Sequence, residues 1–239
     1  MIIEETRQGG ANMEYGNTIK RSTTVLYPDG HRKEGEMTLI SEHLLTVSVN
    51  GEEMYRLVCT RDRLKELVAG RLLTDGLIKK AEDIEEISFD QEEKNCLVVA
   101  GLKKEKGREM LPDTDVDTGK VFALADEFAS GADLHNKTGA THICILSSEG
   151  KAVFTAEDIG RHNAVDKVVG FAALNGIDRS GCMLFISGRV PVDMVEKVIA
   201  AGIPVLVSKS VPTAESVELA KEYGLKLICR AWPDKCELF

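Results

Sequence analysis

The chain has 239 residues, 43% of them hydrophobic and 29% charged, with a formal net charge of −9 at pH 7. That balance describes an ordinary globular protein able to bury a sizeable core, and its acidic excess argues against general nucleic-acid binding. The longest apolar runs, CMLFIS at 182–187 and IPVLVS at 203–208, fall well short of the roughly 20 residues a membrane-crossing helix needs, so no membrane span is expected.

The opening MIIEETRQGG has neither a basic segment nor a continuous apolar one. It does not read as a secretory signal, and a cytoplasmic location is expected. Residues 1–20 lack periodicity and are expected to form a mobile end. Next come several short β-like runs with turn signals at Pro28-Asp29-Gly30 and at Asn50-Gly51, the second being the strongest hairpin signal in the chain. Residues 61–73, RDRLKELVAGRLL, place Leu64, Leu67, Val68 and Leu72 on one helical face, and Asp75-Gly76 closes that helix. IEEISF and NCLVVAGL add two strands. Residues 21–117 thus read as a small α+β domain that ends in KKEKGREMLPDTDVDTG, a linker of charges and turn formers.

From about residue 118 a second domain begins with a helix. Two hairpin-compatible strands follow (THICILS, AVFTAE), then strand and helix alternate: a helix from Ala164, CMLFIS, a helix from Val192, PVLVS, a helix from Ala214, and LKLICR. Such alternation predicts an α/β fold, a layered, largely parallel sheet with helices on its faces. Ligands of such sheets bind where strand ends lead into helix N-termini. Three of these loops carry unusual residues. Glu157, Asp158, Gly160, Arg161 and His162 precede a helix with Asn163 as its expected N-cap and Asp166 at its third position. Ser187, Gly188 and Arg189 lead through Pro191 into the next helix, and Lys209 and Ser210 lead to Thr213, a second expected N-cap. Each loop brings one cation to a helix start, a suitable setting for phosphate or pyrophosphate. Any one of them could instead be a salt-bridged loop that fastens helix to strand. Glu157 and Asp158 read either as an acid/base pair or as groups that orient Arg161 and His162. His142 is a site or core residue, whereas His31, His43 and His135, among polar neighbours, read as surface groups.

Six cysteines, at 59, 96, 144, 182, 229 and 236, show no CxxC spacing, which argues against a disulfide framework and a zinc knuckle, and buried reduced thiols are expected at Cys144 and Cys182. Zinc-deaminase chemistry would need a PCxxC where SGRVP stands, so no metal site is expected. No GxSxG elbow occurs for serine catalysis.

TGATH, EDIGRHNAVDKVVG, SGRVPVDMVEKVIAAGIPVLVSKSVPT and, upstream, VNGEEMYRLVCTRDRLKELVAGRLLTDGLI together resemble the FdhD family, the formate dehydrogenase accessory proteins, from about residue 45 to about residue 228. The resemblance implies a cytidine-deaminase-like α/β domain without the deaminase zinc (118–239), joined to a smaller α+β domain. It implies a sulfurtransferase that carries persulfide sulfur from a cysteine desulfurase to the molybdenum or tungsten cofactor of formate dehydrogenase. It further implies a homodimer and a bound bis(molybdopterin guanine dinucleotide), or a guanine nucleotide in its place. Cofactor contacts then fall on Thr138, Gly139 and His142, on the first loop through Asn163, Asp166 and Lys167, on Ser187, Gly188 and Arg189, on Lys209 and Ser210, and at the tail on Arg230 and Trp232. The chain departs from the family in three places. The linker lacks the family's CGxCG-like loop, leaving Cys236 in PDKCELF as the exposed-looking thiol. TGA stands where the family has TGG. Cys229-Arg230-Ala231-Trp232 replaces the family's tail, putting Trp232 where it could stack on a guanine or simply pack.

Overall fold

The computed structural model describes residues 16–103, 109–129 and 132–239. Of the expected mobile end, residues 1–15 lie outside those limits, while 18–20 already belong to a strand, β1 (Thr18–Leu26). It pairs antiparallel with β2 (Arg32–Ile40) around the Pro28-Asp29-Gly30 turn. β3 (His43–Val49) and β4 (Glu52–Cys59) form the hairpin that Asn50-Gly51 predicts. Both turn residues take positive φ, 51° and 88°, the combination a type I′ turn requires. After helix α1 (Leu64–Thr74), β5 (Ile84–Phe89) and β6 (Asn95–Ala100) complete a four-stranded sheet in the order β4-β3-β6-β5. Leu45, Val47, Val49, Cys96, Val98 and Ala100 all face inward, as the period of two demands.

The second half runs α2 (Thr118–Ala129), α3 (Asp133–Thr138), β7 (His142–Ser148), β8 (Lys151–Asp158), α4 (Arg161–Leu174), β9 (Cys182–Ile186), α5 (Val192–Ala200), β10 (Val205–Ser208), α6 (Ala214–Tyr223), β11 (Lys226–Trp232) and β12 (Lys235–Leu238). Its six strands lie in the order β12-β11-β10-β9-β7-β8. β9, β10 and β11 are mutually parallel, and β7, β8 and β12 run antiparallel to their neighbours, so the fold is mixed α/β. Two elements escape the sequence pattern. α3 is six mostly polar residues, and β12 is a four-residue edge strand with hardly any buried side chain.

Alternation along the six strands feeds two cores. Cys144, Leu146, Leu184, Ile186, Leu206 and Leu227 point to one side, where α1, α4, α5, α6 and the inner face of the four-stranded sheet share a single cluster. Ile143, Ile145, Phe185, Val205, Val207 and Ile228 point to the other side, against Val121, Leu124 and Phe128 of α2. α1 and α4 touch backbone to backbone. A β-carbon at Gly70 would overlap the carbonyl oxygen of Asp166, and one at Gly170 that of Glu66, which is why glycine occupies the interior of both helices despite its cost there.

Candidate functional site

β8 runs antiparallel to β7, and β7 antiparallel to β9. The start of β7, the end of β8 and the ends of β9, β10 and β11 therefore share one edge of the sheet. TGATH and all three loops singled out by their cations open onto that edge, with the N-terminus of α4 among them.

The residues entering α4 divide into a buried set and a displayed set. Asp158 is fully buried and meets Lys167 Nζ at 2.8 Å, also fully buried. Its Oδ2 accepts from Thr60 N and Thr60 Oγ1, both at 3.1 Å, and its Oδ1 accepts from Gly160 N at 2.9 Å and from the Asn163 amide at 3.0 Å. Lys167 also reaches Asp62 at 3.0 Å. One turn further on, buried Asp166 accepts from Thr74 Oγ1 at 2.6 Å, Lys197 Nζ at 2.9 Å and Arg71 Nη1 at 3.1 Å. Lys197 continues to Asp75 at 3.2 Å. Both clusters tie α4 to the β4–α1 segment of the first half. Asp158, Asn163, Asp166 and Lys167 thus have their polar atoms on protein partners, as in the loop-fastening alternative.

Asn163 is not the N-cap. Helix α4 begins at Arg161, Gly160 stands at the cap without a side-chain bond, and Asp158 already bonds the Gly160 N–H; the Asn163 amide instead donates to Val58 O at 2.8 Å. Nor do Glu157 and Asp158 orient Arg161 and His162. The Glu157 carboxylate accepts from the backbone N–H groups of Leu134 (2.9 Å) and His135 (2.5 Å) and from Thr141 Oγ1 (3.0 Å), closing the start of α3. Thr138 and Gly139 close its other end, Gly139 as the left-handed C-cap and Thr138 through its hydroxyl on Leu134 O. Thr213, by contrast, caps α6 as expected, bonding Ser216 N at 3.3 Å.

The displayed set surrounds Gly188. A β-carbon there would crowd Arg161 Cβ and Cδ at 3.3 Å and His142 Nδ1 at 3.5 Å, so the absent side chain lets the Arg161 stem lie across the loop beside His142. Arg161 Nε is buried with no hydrogen-bond partner. His142 lies 3.4 Å from Ser187 Oγ, which accepts from Ile143 N at 3.0 Å. Burial, and then the Arg161 charge, hold the His142 imidazole below its ordinary pKa. His162 is likewise lowered by burial, and although its Nε2 stands 3.0 Å from Asp193 Oδ2 the two are not aligned for a hydrogen bond. Arg189 is exposed. Lys209 Nζ sits 4.5 Å from the Trp232 ring centroid and 5.8 Å from that of Phe128, a cation held by two aromatic faces. Ser210 fixes the neighbouring backbone, accepting Arg230 N at 2.9 Å, and Arg230, in the left-handed region at φ 48°, meets Glu237 at 3.4 Å.

Sequence reasoning missed Phe128, Thr60, Asp62, Arg71, Thr74, Asp193 and Lys197. The mid-helix glycines at 70 and 170 were the readable sign that α1 and α4 approach closely. His43, expected on the surface, is buried with Nε2 2.7 Å from Glu93 O.

Five thiols are buried: Cys59, Cys96, Cys144, Cys182 and Cys229. Burial pushes all five upward, to about 12 for Cys59, Cys96 and Cys229. Cys236, on β12, is half-buried against the smaller core. Among the described residues no group of three or more His, Cys, Asp or Glu is placed to hold a metal, and no helix is long and apolar enough to cross a membrane.

Fold and edge together define an α/β protein that presents cations and a helix start on one side of a mixed sheet. The family model FdhD/NarQ matches residues 40–239, and the chain belongs to that family. It is 31% identical to the sulfur carrier protein FdhD of Geobacillus kaustophilus over 241 residues, 89% of this chain and 92% of that protein. It is 42% identical to the sulfur carrier protein FdhD of Thermoplasma volcanium over 132 residues, 55% of this chain and 47% of that one. A crystal structure described as that of a formate dehydrogenase accessory protein from Desulfotalea psychrophila superposes with a TM-score of 0.83 at 29% identity, covering 92% of this chain and 96% of the other.

Proposed function

We propose that this chain is a formate dehydrogenase accessory protein that receives the guanine dinucleotide form of the molybdenum cofactor at the displayed edge. The observation that carries the reading is Arg161, whose buried Nε lacks a partner at the start of α4. An unpartnered buried donor at a helix N-terminus suits a phosphate oxygen. Arg161, His142, Arg189 and Lys209 would meet the phosphates, with Ser187, Gly188 and Ser210 shaping the floor and Trp232 beside the guanine. We read the second half as a cytidine-deaminase-like layering without zinc, joined to the smaller α+β first half. Formate dehydrogenase is the client in this reading, and a cysteine desulfurase the sulfur donor.

Sulfur carriage falls to Cys236. Its thiolate would attack the outer sulfur of a desulfurase persulfide, forming a persulfide on Cys236 and releasing the desulfurase thiolate, with the thiol proton passing to solvent. A second reading is favoured by the five buried, upward-shifted thiols: a cofactor-holding chaperone that transfers no sulfur. Incubation with a desulfurase and cysteine, followed by peptide mass analysis, separates the two. One added sulfur on the Cys236 peptide, lost in Cys236→Ser, supports carriage. A chain unlabelled on every cysteine supports the chaperone and ends the sulfur step.

A further inference from the structure

The six-stranded sheet has a second end, away from His142, Ser187 and Lys209. There β7 finishes and β9 and β10 begin, so that Ser147 pairs with Met183 and Met183 with Val205. Ile143 and Ile145 of β7 face α2, and alternation sets Ser147 on the same side. Val205 belongs to that smaller core, and Met183 and Val116 pack against it. The start of α2 leaves part of this layer unfilled. A cavity of about 120 Å³ remains under the segment leading into the helix, with Val116, Met183 and Val205 among its walls and Ser147 at its floor.

Ser147 is 1% exposed, and its Oγ has no hydrogen-bond partner among the described residues. A hydroxyl buried without a partner carries a desolvation cost that a ligand atom within reach removes. The mouth of the cavity is acidic. Asp115, Asp117 and Glu149, all exposed, stand there against a single cation, Lys120. The start of α2 does not reverse that sign, because Asp117 Oδ1 already accepts from Gly119 N at 2.9 Å and from Lys120 N at 3.3 Å. Among the described residues no three acidic groups converge as metal ligands. The fitting cation therefore brings its own hydrogen-bond donors to the mouth and hydrocarbon to the walls. A cavity of roughly 150 Å³ holds benzene, so this one has room for about five non-hydrogen atoms.

We infer that this cavity binds a small aliphatic ammonium ion with a hydroxyl at its far end, a short amino alcohol. The ammonium meets Asp115 and Glu149, the methylenes lie along Val116, Met183 and Val205, and the hydroxyl pairs with Ser147 Oγ.

Nuclear magnetic resonance of the full chain, labelled with carbon-13 at its methionine methyls, tests this. The Met183 signal is assigned by its loss in Met183→Leu. The probe is 3-amino-1-propanol, which should shift that signal saturably with a dissociation constant of about 1 mM. Two compounds of the same length dissect the fit: 1,3-propanediol lacks the charge and n-butylammonium lacks the hydroxyl. Each should bind at least about fivefold more weakly than the probe. Asp115→Asn combined with Glu149→Gln should weaken the probe at least about fivefold, an effect that added salt reproduces. Ser147→Val fills the cavity and removes its hydroxyl, and should abolish the shift. Circular dichroism checks the fold of each variant, and should Ser147→Val fail to fold, the exposed double variant decides. A Met183 signal that the probe does not move, either comparison compound binding as tightly as the probe, or undiminished binding in a folded variant overturns the inference.

Discussion

The start of helix α4 and the strand ends beside it gather two kinds of charge, and they do opposite work. Asp158, Asp166 and Lys167 are fully buried and fully partnered, joining the second half of the chain to Thr60, Asp62, Arg71 and Thr74 of the first. Arg161 and His142 at the sheet edge are only part-buried and under-partnered. The same region thus supplies a clasp that sets stability and, in the function proposed above, a surface that meets the ligand. Substitutions should separate the two, because a buried charge stripped of its partner destabilises whether or not a ligand is present, while an edge cation matters only to what it meets.

The largest effect belongs to the clasp. Lys167→Ala leaves Asp158 charged and unpaired in the interior, and denaturant unfolding should register a loss of about 3–5 kcal/mol. Gly170→Ala comes next. The added methyl must push α1 and α4 apart, at a cost of about 1–3 kcal/mol or more, read as a lowered melting midpoint. At the edge, Arg161→Ala should weaken guanosine diphosphate binding about tenfold, the loss of one charge-assisted contact, with the melting midpoint unchanged. Were Arg161→Ala to unfold the protein, or Lys167→Ala to lower affinity without touching stability, the division between the two regions would fail.

The smallest effect is one of pH. His142 and His162 have folded pKa values below the ordinary 6.5, so as pH falls the unfolded chain takes up protons first. Their neutral burial costs nothing above that value, and stability declines as pH drops through 6.5 toward the lowered folded pKa. In the proposed complex a phosphate beside His142 would offset its burial and raise it, so nucleotide affinity should increase a few-fold between about pH 8 and about pH 6. Replacing His142 with Gln should flatten that rise.

Much of this architecture can be read from residues alone. The core strands announce themselves as apolar runs, the Asn50-Gly51 hairpin by its turn chemistry, and α6 by Thr213 at one end and Gly224 in the left-handed region at the other. What stayed hidden depends on chain-distant partners. Lys167 finds Thr60 across 107 positions, and Asp166 finds Thr74 across 92. No local pattern tells such a carboxylate from one waiting for a ligand, which is why Asp158, Asp166 and Lys167 read as binding residues. The contacts of Glu157 were hidden for the same reason, since it meets backbone N–H groups of α3, a helix too short to leave a period. The edge itself was legible, because cations just past strand ends can meet only there once the strands pair.

Calorimetric titration of guanosine diphosphate into the wild type, Arg161→Ala and Arg189→Ala shows whether the sheet edge holds a nucleotide. Binding to the wild type should weaken with added salt and fall clearly in both variants, while all three proteins melt alike. Equal affinity in the three, or no heat of binding to the wild type, would contradict it.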